Sequence, residues 1–468
     1  MKKYFVCILL ITVSSLYSQE VDSLLILNFR EYLGYVKKYH PIAKQAELTI
    51  DVGQANLMRA RGGFDPKIDV DYDRKKFKGQ EYYDLFNATF KIPTWYGVEF
   101  KAGFEQNDGD FLNSERNVPD DGLFSAGVTV SVAQGLIINE RMATLRKAKF
   151  FRDQTQADRD LLVNEILYEA SLAYFKWLQM YNEVRIYDNF LNNAEVRFEG
   201  IRKSALAGDI ATIDTVEAKI AVQDRALSLE QAKVKFMKSS LELSNFLWLN
   251  NNIPLELQPN VIPDPTVENE IDATLEILGR PLSDFTVDNH PKLRSLGFKI
   301  QGLEVDRKLK ANKLLPRIDL EYNFLTETPE IARSFNTAEY KGGIVFSFPL
   351  FLRKERGDLR LANFKLRDAE FELNASRLQI QNKVLAIYQE LDSFETQNQL
   401  IVDIVGNYER LLSAEERKFS FGESSLFLIN SRERSLIDSK LKQNELQNKF
   451  FNAKAKLFNS LAVNPENL

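Results

Sequence analysis

The stretch GFDPKIDVDYD (63–73) decides how this chain is read. After Pro66, Ile68, Val70 and Tyr72 alternate with Lys67, Asp69, Asp71 and Asp73. Strict alternation marks a strand with one apolar and one polar face. The pattern returns in KLLPRIDLEYN (313–323), where Ile318, Leu320 and Tyr322 alternate with Arg317, Asp319, Glu321 and Asn323. Pro66 aligns with Pro316, Asp69 with Asp319 and Tyr72 with Tyr322, all at an offset of 250 residues. The same offset joins the two histidines of the chain, His40 in YHPIAKQ (39–45) and His290 in NHPKLRS (289–295). A register held without a gap over this distance indicates a duplicated unit. The residue before proline is biased away from helix, and proline suits a first helical turn. Each His-Pro is therefore expected to start a helix rather than to hold a metal.

Further alternation runs through LFNATFKIP (85–93), YGVEFKAGFEQ (96–106), LFSAGVTVSV (123–132) and GIVFSF (343–348). Packed face to face such strands make a soluble sandwich; set in lipid they make a barrel with a polar lumen. Their length suits tilted membrane strands of about ten residues. Trp95 and Tyr96 in PTWYG (93–97) fit an interfacial aromatic girdle, and 107–122 reads as an external loop. The barrel is the expectation, with Asp69, Asp71, Asp73, Asp319 and Glu321 facing the lumen and favouring cations. Four strands fall within 66–133 and two within 316–350. Closed barrels begin at about eight strands, so other chains must satisfy the open edges.

Between the strands lie rods. Leu136 to Ala207 and Asp358 to Phe421 contain no proline and one glycine each, Gly200 and Gly406. At 1.5 Å per residue each rod is roughly 100 Å long. Leu162, Ile166, Ala170, Ala173, Trp177, Tyr181 and Val184 recur at spacings of three and four, as in a coiled-coil seam. Glycine tips, Gly208 and Gly422, precede return arms expected over 209–253 and 423–464, ending before Pro254 and Pro465. Segments 22–62 and 272–312 are expected to be helical and to stack end to end on the return arms. Residues 254–270 read as a linker.

The opening MKKYFVCILLITVSSLYSQE reads as a secretory leader, with residues 1–18 removed. It contains the chain's one cysteine, Cys7, so disulfides and thiol chemistry are not expected. No later run approaches ~18 apolar residues, so no spanning helix is expected. A net charge of −5, with both signs mixed, does not suggest nucleic acid. No phosphate-cradling loop, nucleophile turn or ligand-spaced histidine pair is present, so no enzyme, cofactor or metal centre is expected.

Strand hairpins, long helix, glycine tip and return helix, duplicated behind a leader, resemble the TolC-type outer-membrane efflux protein family. AGDIATIDTVEAK (207–219) is similar to the family's tip segment; FGESSLFLINSRE (421–433) is a more distant second copy. The resemblance implies an α+β membrane protein with two internal repeats, 19–265 and 266–468. Three chains would share one transmembrane β-barrel in the bacterial outer membrane, continued by a long periplasmic α-helical barrel of coiled-coil hairpins. Residues 82–106 would then widen the barrel to eighteen strands or cap one of twelve; their full apolar faces favour widening. The homotrimer would be a passive exit duct for efflux or type I secretion, docked on a periplasmic adaptor and an inner-membrane transporter. Its docking turns would be Ala207, Gly208, Asp209 and Phe421, Gly422, Glu423, two per chain and six per trimer, suiting a hexameric adaptor. Where the family often carries an acidic pair and an arginine at the second tip, this chain has Leu428, Ser431 and Ser424. Asp214 and Glu217, on one helical face, are the expected acidic constriction instead. The competing reading, a periplasmic hairpin adaptor or structural spacer, leaves the amphipathic strands unexplained.

Overall fold

The computed structural model describes residues 25–278, 285–329, 336–466 and 468. The expected leader lies outside the described residues. The chain begins with β1 (Leu25–Leu27), α1 (Phe29–Tyr39) and α2 (Pro41–Arg61). Four strands follow: β2 (Lys67–Phe77), β3 (Gln80–Pro93), β4 (Val98–Asp108) and β5 (Leu123–Ser131). The first rod α3 (Glu140–Ala207) leads to its return helix α4 (Thr212–Ser244). Three short strands, β6 (Trp248–Leu249), β7 (Ile253–Pro254) and β8 (Val261–Pro263), precede a single helical turn, α5 (Ile271–Thr274). The order then resumes as α6 (Pro291–Asn312), β9 (Arg317–Thr326), β10 (Tyr340–Ser347), α7 (Arg353–Ser420) and α8 (Leu426–Leu461).

The six long strands form one antiparallel sheet in the order β10-β9-β5-β4-β3-β2. The turn between β2 and β3 has two residues, Lys78 and Gly79, both at positive φ, the geometry that matches strand twist in a tight hairpin. The 82–106 segment lies inside the sheet, as β3 and β4 between β2 and β5. One face is apolar across the sheet: Ile68 is opposite Phe90, Phe90 opposite Ala102, and Ala102 opposite Ala126. That face is uncovered; Ile68 is 72% exposed and Ile344 75%. A soluble sandwich would bury such a face; a membrane strand leaves it to lipid.

Helices flank one another four abreast. Beside the sheet, neighbours pack in the order α2-α3-α6-α7; toward the tips, α4 and α8 take the places of α2 and α6. The handover is made by the histidines. His40 caps α2 by accepting from the Ile42 N–H at 3.2 Å, with Pro41 in the first turn. Its ring also donates to the carbonyl of Asn245, the C-cap of α4. His290 accepts from the Lys292 N–H at 3.1 Å and donates to the carbonyl of Ser460, in the last turn of α8. Each imidazole thus joins the start of a short helix to the end of a return helix, so the pair runs alongside the rod as one interrupted column.

Midway along the rods sits the main core. Phe29, Tyr32, Leu33, Tyr174, Phe175, Trp177 and Phe458 are buried in it. Ile166, Ala170 and Trp177 of the expected seam are in this core, but Leu162 is exposed while Val163 and Leu167 are buried. The helix is wrapped from several sides here, so a single stripe does not describe it. The expected linker is also structured: β8 pairs with β1 in parallel. Tyr174 Oη donates to the Leu27 carbonyl at 2.7 Å and accepts from the Asp264 N–H at 3.1 Å.

Three expectations about the helices need correction. The first return helix ends at Ser244, not near residue 253, because 248–254 turns into the β6–β7 ribbon. Segment 272–312 is not one helix; only 271–274 and 291–312 are α-helical, and 279–284 lie outside the described residues. The return helices have 33 and 36 residues against 68 in each rod, shorter than the arms expected over 209–253 and 423–464, and α2 and α6 make up the length.

Candidate functional site

The polar face of the sheet holds the residues expected to line a lumen. Asp69 accepts from Lys91 Nζ at 2.9 Å, and Glu321 accepts from Lys101 Nζ at 3.3 Å and Asn323 Nδ2 at 3.0 Å. Asp319 is buried, held by Ser131 Oγ at 2.6 Å and Arg317 Nε at 2.7 Å. Asp71 and Asp73 are exposed on the outer strand β2. The face is therefore not a plain acidic wall. Its register aligns Lys67, Lys91, Lys101, Gly127, Asn323 and Lys341 in one row across all six strands. Gly127 is required there, because a Cβ would collide with the Tyr322 carbonyl oxygen and with the backbone of Asn323 on the neighbouring strand. The lysines share the parity of the acids along each strand; only the register shows that they make a band.

At the periplasmic edge of the sheet, as the family resemblance orients it, the β3–β4 turn rests on the start of the first rod. Trp95 stacks on Phe64 at 5.6 Å between centroids and lies under Arg146. Asn139, the N-cap of α3, donates to the Trp95 carbonyl at 3.1 Å.

About 100 Å away, both rods end in the same way. Gly208 adopts φ 85°, donates to Ala205, and is followed by Asp209 donating to Ser204 at 3.0 Å. Gly422 adopts φ 76° and donates to Phe419, with Glu423 donating to Lys418 at 3.0 Å. These are matching Schellman caps, which need the left-handed residue that glycine supplies. Leu206 and Ile213 are exposed at the first tip, and Phe421 and Phe427 at the second. Ser424 donates to Glu415 Oε1 at 2.6 Å and ties the second tip to its own rod. Asp214 and Glu217 are half-buried in the first turns of α4. Glu217 accepts from Asn430 Nδ2 of α8 at 3.0 Å.

Behind the tips is a cluster that sequence reasoning missed. Glu433 of α8 is fully buried. It accepts two hydrogen bonds at 3.1 Å from Arg197 of α3, and a third from Arg225 of α4. Arg197 also reaches Glu416 of α7 at 3.2 Å. One ionic clasp thus joins all four helices. These rods are charged on every exposed turn, so nothing in the sequence set these residues apart.

Among the described residues no helix is long and apolar enough to cross a membrane. A sheet with an outward apolar face, continued by four-abreast rods, is the architecture of outer-membrane channels. The solved structures it is similar to include the Campylobacter jejuni CmeC outer membrane channel, at TM-score 0.63 and 12% identity, covering 93% of this chain and 85% of that one. The outer membrane protein VceC of Vibrio cholerae aligns at 0.63 and 12%, covering 93% and 96%. The open-state Neisseria gonorrhoeae MtrE outer membrane channel aligns at 0.64 and 11%, covering 93% and 88%. No curated protein matches in sequence. Residues 282–463 match the family model described as outer membrane efflux protein. That match lies in the C-terminal part of the chain, and the fold over nearly its whole length is similar to that of solved outer-membrane channels.

Proposed function

We propose that the chain is the passive outer-membrane exit duct of a tripartite efflux or type I secretion assembly. It works as a homotrimer of two-repeat chains docked on a periplasmic adaptor and an inner-membrane transporter. The observation that carries the docking role is the pair of matched tips. Each is a rigid glycine-capped turn bearing exposed apolar side chains, at the far end of a rod from the lipid-facing sheet. Ala207, Gly208, Asp209 and Phe421, Gly422, Glu423 form the docking turns, with Leu206 and Phe427 as apolar contacts beside them. The polar face of the sheet, with Asp69, Asp71, Asp73, Asp319 and Glu321 interleaved with lysines, lines the duct. Asp214 and Glu217 form the constriction, with Asn430 fixing the second of them. No chemical step is assigned to the chain; the energy comes from the partner. The spacer or adaptor reading leaves an uncovered apolar sheet without a purpose.

The test is to introduce Leu206→Asp and Phe421→Asp together. Efflux in cells should fall at least tenfold while the amount in the outer membrane and the single-channel conductance stay unchanged. Retained efflux would refute docking through the tips. The double variant Asp214→Asn with Glu217→Gln should reduce cation selectivity in planar bilayers; unchanged selectivity would refute the constriction.

A further inference from the structure

The chain carries a net charge of −5, yet the segments that join the six-stranded sheet to the helices are strongly basic. Residues 54–66 and 304–316 lead from α2 and α6 into the sheet, and 139–149 and 353–363 start the rods α3 and α7 beneath it. Together these four segments hold fourteen Lys and Arg against six Asp and Glu. The turns at the opposite end of the sheet, within 77–81 and 107–122, hold two against six. Positive charge is thus gathered on one side of the sheet, within about three helical turns, or about 16 Å.

Helix stability does not account for this collar. Cations suit the ends of α2 and α6, where they meet the negative pole of the helix dipole, but they oppose the starts of α3 and α7. In the first turn of α7, Arg353, Lys354 and Arg356 stand with one acid, Glu355, and the N-cap Leu352 supplies no side-chain acceptor. Internal pairing does not account for it either. Three of the acids, Glu140, Asp306 and Asp358, are held by Lys313, Lys147 and Lys310. Among the described residues, Arg61, Lys308, Arg353, Lys354, Arg356 and Arg360 are exposed and have no acidic partner. On the sheet side of these cations Leu350 and Phe351 are exposed, and the Arg353 guanidinium lies 5.2 Å from the centre of the Phe351 ring. Ile137 and Tyr96 are exposed in the neighbouring turns. Apolar side chains backed by cations suit the boundary between acyl chains and phosphates.

We propose that the collar is a binding surface for anionic phospholipid. Arg353, Lys354, Arg356 and Arg360, with Arg61 and Lys308, hold the phosphates of acidic headgroups in the leaflet on the rod side, while Leu350 and Phe351 enter its acyl layer. This rests on the reading of the chain as an outer-membrane duct with its sheet in lipid. Charge decides the occupant. A zwitterionic headgroup offers the collar no net charge, whereas an acidic surface attracts each Lys or Arg that lies within a Debye length of it. Long Arg and Lys side chains turned toward the sheet bring their charges to the phosphates from the first two helical turns.

The test places the full chain in phosphatidylcholine vesicles with a trace of spin-labelled phosphatidylglycerol or spin-labelled phosphatidylcholine. The share of each label immobilised at the protein surface gives their relative association. Phosphatidylglycerol should be favoured about fivefold at low salt, and the preference should fall below about twofold in about 1 M NaCl. Arg353→Gln/Lys354→Gln/Arg356→Gln/Arg360→Gln should remove most of it while the immobilised phosphatidylcholine stays unchanged. Arg353→Lys/Arg356→Lys/Arg360→Lys should keep it. Equal immobilisation of both lipids by the unaltered protein overturns the proposal, and so does a preference that does not respond to salt, a measurement that needs no variant. A preference that survives in the glutamine variant overturns it too, because the acidic-lipid surface would then lie elsewhere. If neither lipid is immobilised, the chain is not in the bilayer and the duct reading itself falls.

Discussion

The sheet and the rods belong to one chain but answer to opposite solvents. In the sheet, Ile68, Phe100 and Phe346 point outward and the charges share the other face. In the rods, Tyr174, Phe175 and Trp177 are buried among helices, and charge lies mostly outside. The sheet draws no packing from a second layer within the chain, whereas the rods are held by burial of apolar side chains away from water. The clasp at Arg197, Arg225 and Glu433 sets charge inside the rods, among side chains that are mostly apolar. One class of lesion should therefore damage the rods and leave the sheet intact, and another should do the reverse.

The largest effect is expected at Glu433. Glu433→Ala leaves two arginines without their buried partner, a loss of about 3–5 kcal/mol. Proteolysis near the tips should accelerate sharply while the chain stays in the outer membrane. Replacing the cluster by Arg197→Met, Arg225→Met and Glu433→Leu together should restore protection. If Glu433→Ala alone left the protease pattern unchanged, the clasp would not be holding the hairpins together.

Next comes acid. Burial pushes the His290 imidazole down to about 4 from its ordinary 6.5, and burial lowers His40 as well. The unfolded chain takes up protons on these groups first. Their stabilisation is therefore complete above about pH 6.5 and lost as pH falls toward 4. For His290 alone the shift is worth about 3 kcal/mol. Thermal unfolding of the helical signal should drop in temperature across that window, with the sheet signal following later. His290→Asn retains a capping side chain and should flatten this dependence. An equally steep profile in the variant would place the pH response elsewhere.

A smaller effect should appear in the sheet. Phe90→Arg puts a charge on the lipid face, at about 2 kcal/mol for a site away from the bilayer midplane. Insertion into lipid vesicles should weaken while the helical signal of the same full-length variant is unchanged. If the helices lost stability first, the division between the two regions would be wrong.

Much of this was legible because each element obeys one period. Alternation after Pro66 and Pro316 identified strands, and the glycines at 208 and 422 marked the tips, since only a left-handed residue completes those caps. What was not legible depended on distant partners. The lysine row needs the register of six strands. The pairing of β8 with β1, fastened by Tyr174, joins segments more than 200 residues apart, so residues 254–270 gave no local sign of order. Leu162 was misplaced because a helix wrapped from several sides has no single seam.

Both rods contain 68 residues. Each starts beside the sheet and stops at the same kind of turn, so a ring of copies would present a rim of uniform height. A level rim offers no key by shape alone. A partner sensing only elevation and curvature could seat in either of two settings, one tip apart. Side-chain chemistry must break that degeneracy: aliphatic Leu206 and Ile213 on one turn against aromatic Phe421 and Phe427 on the other.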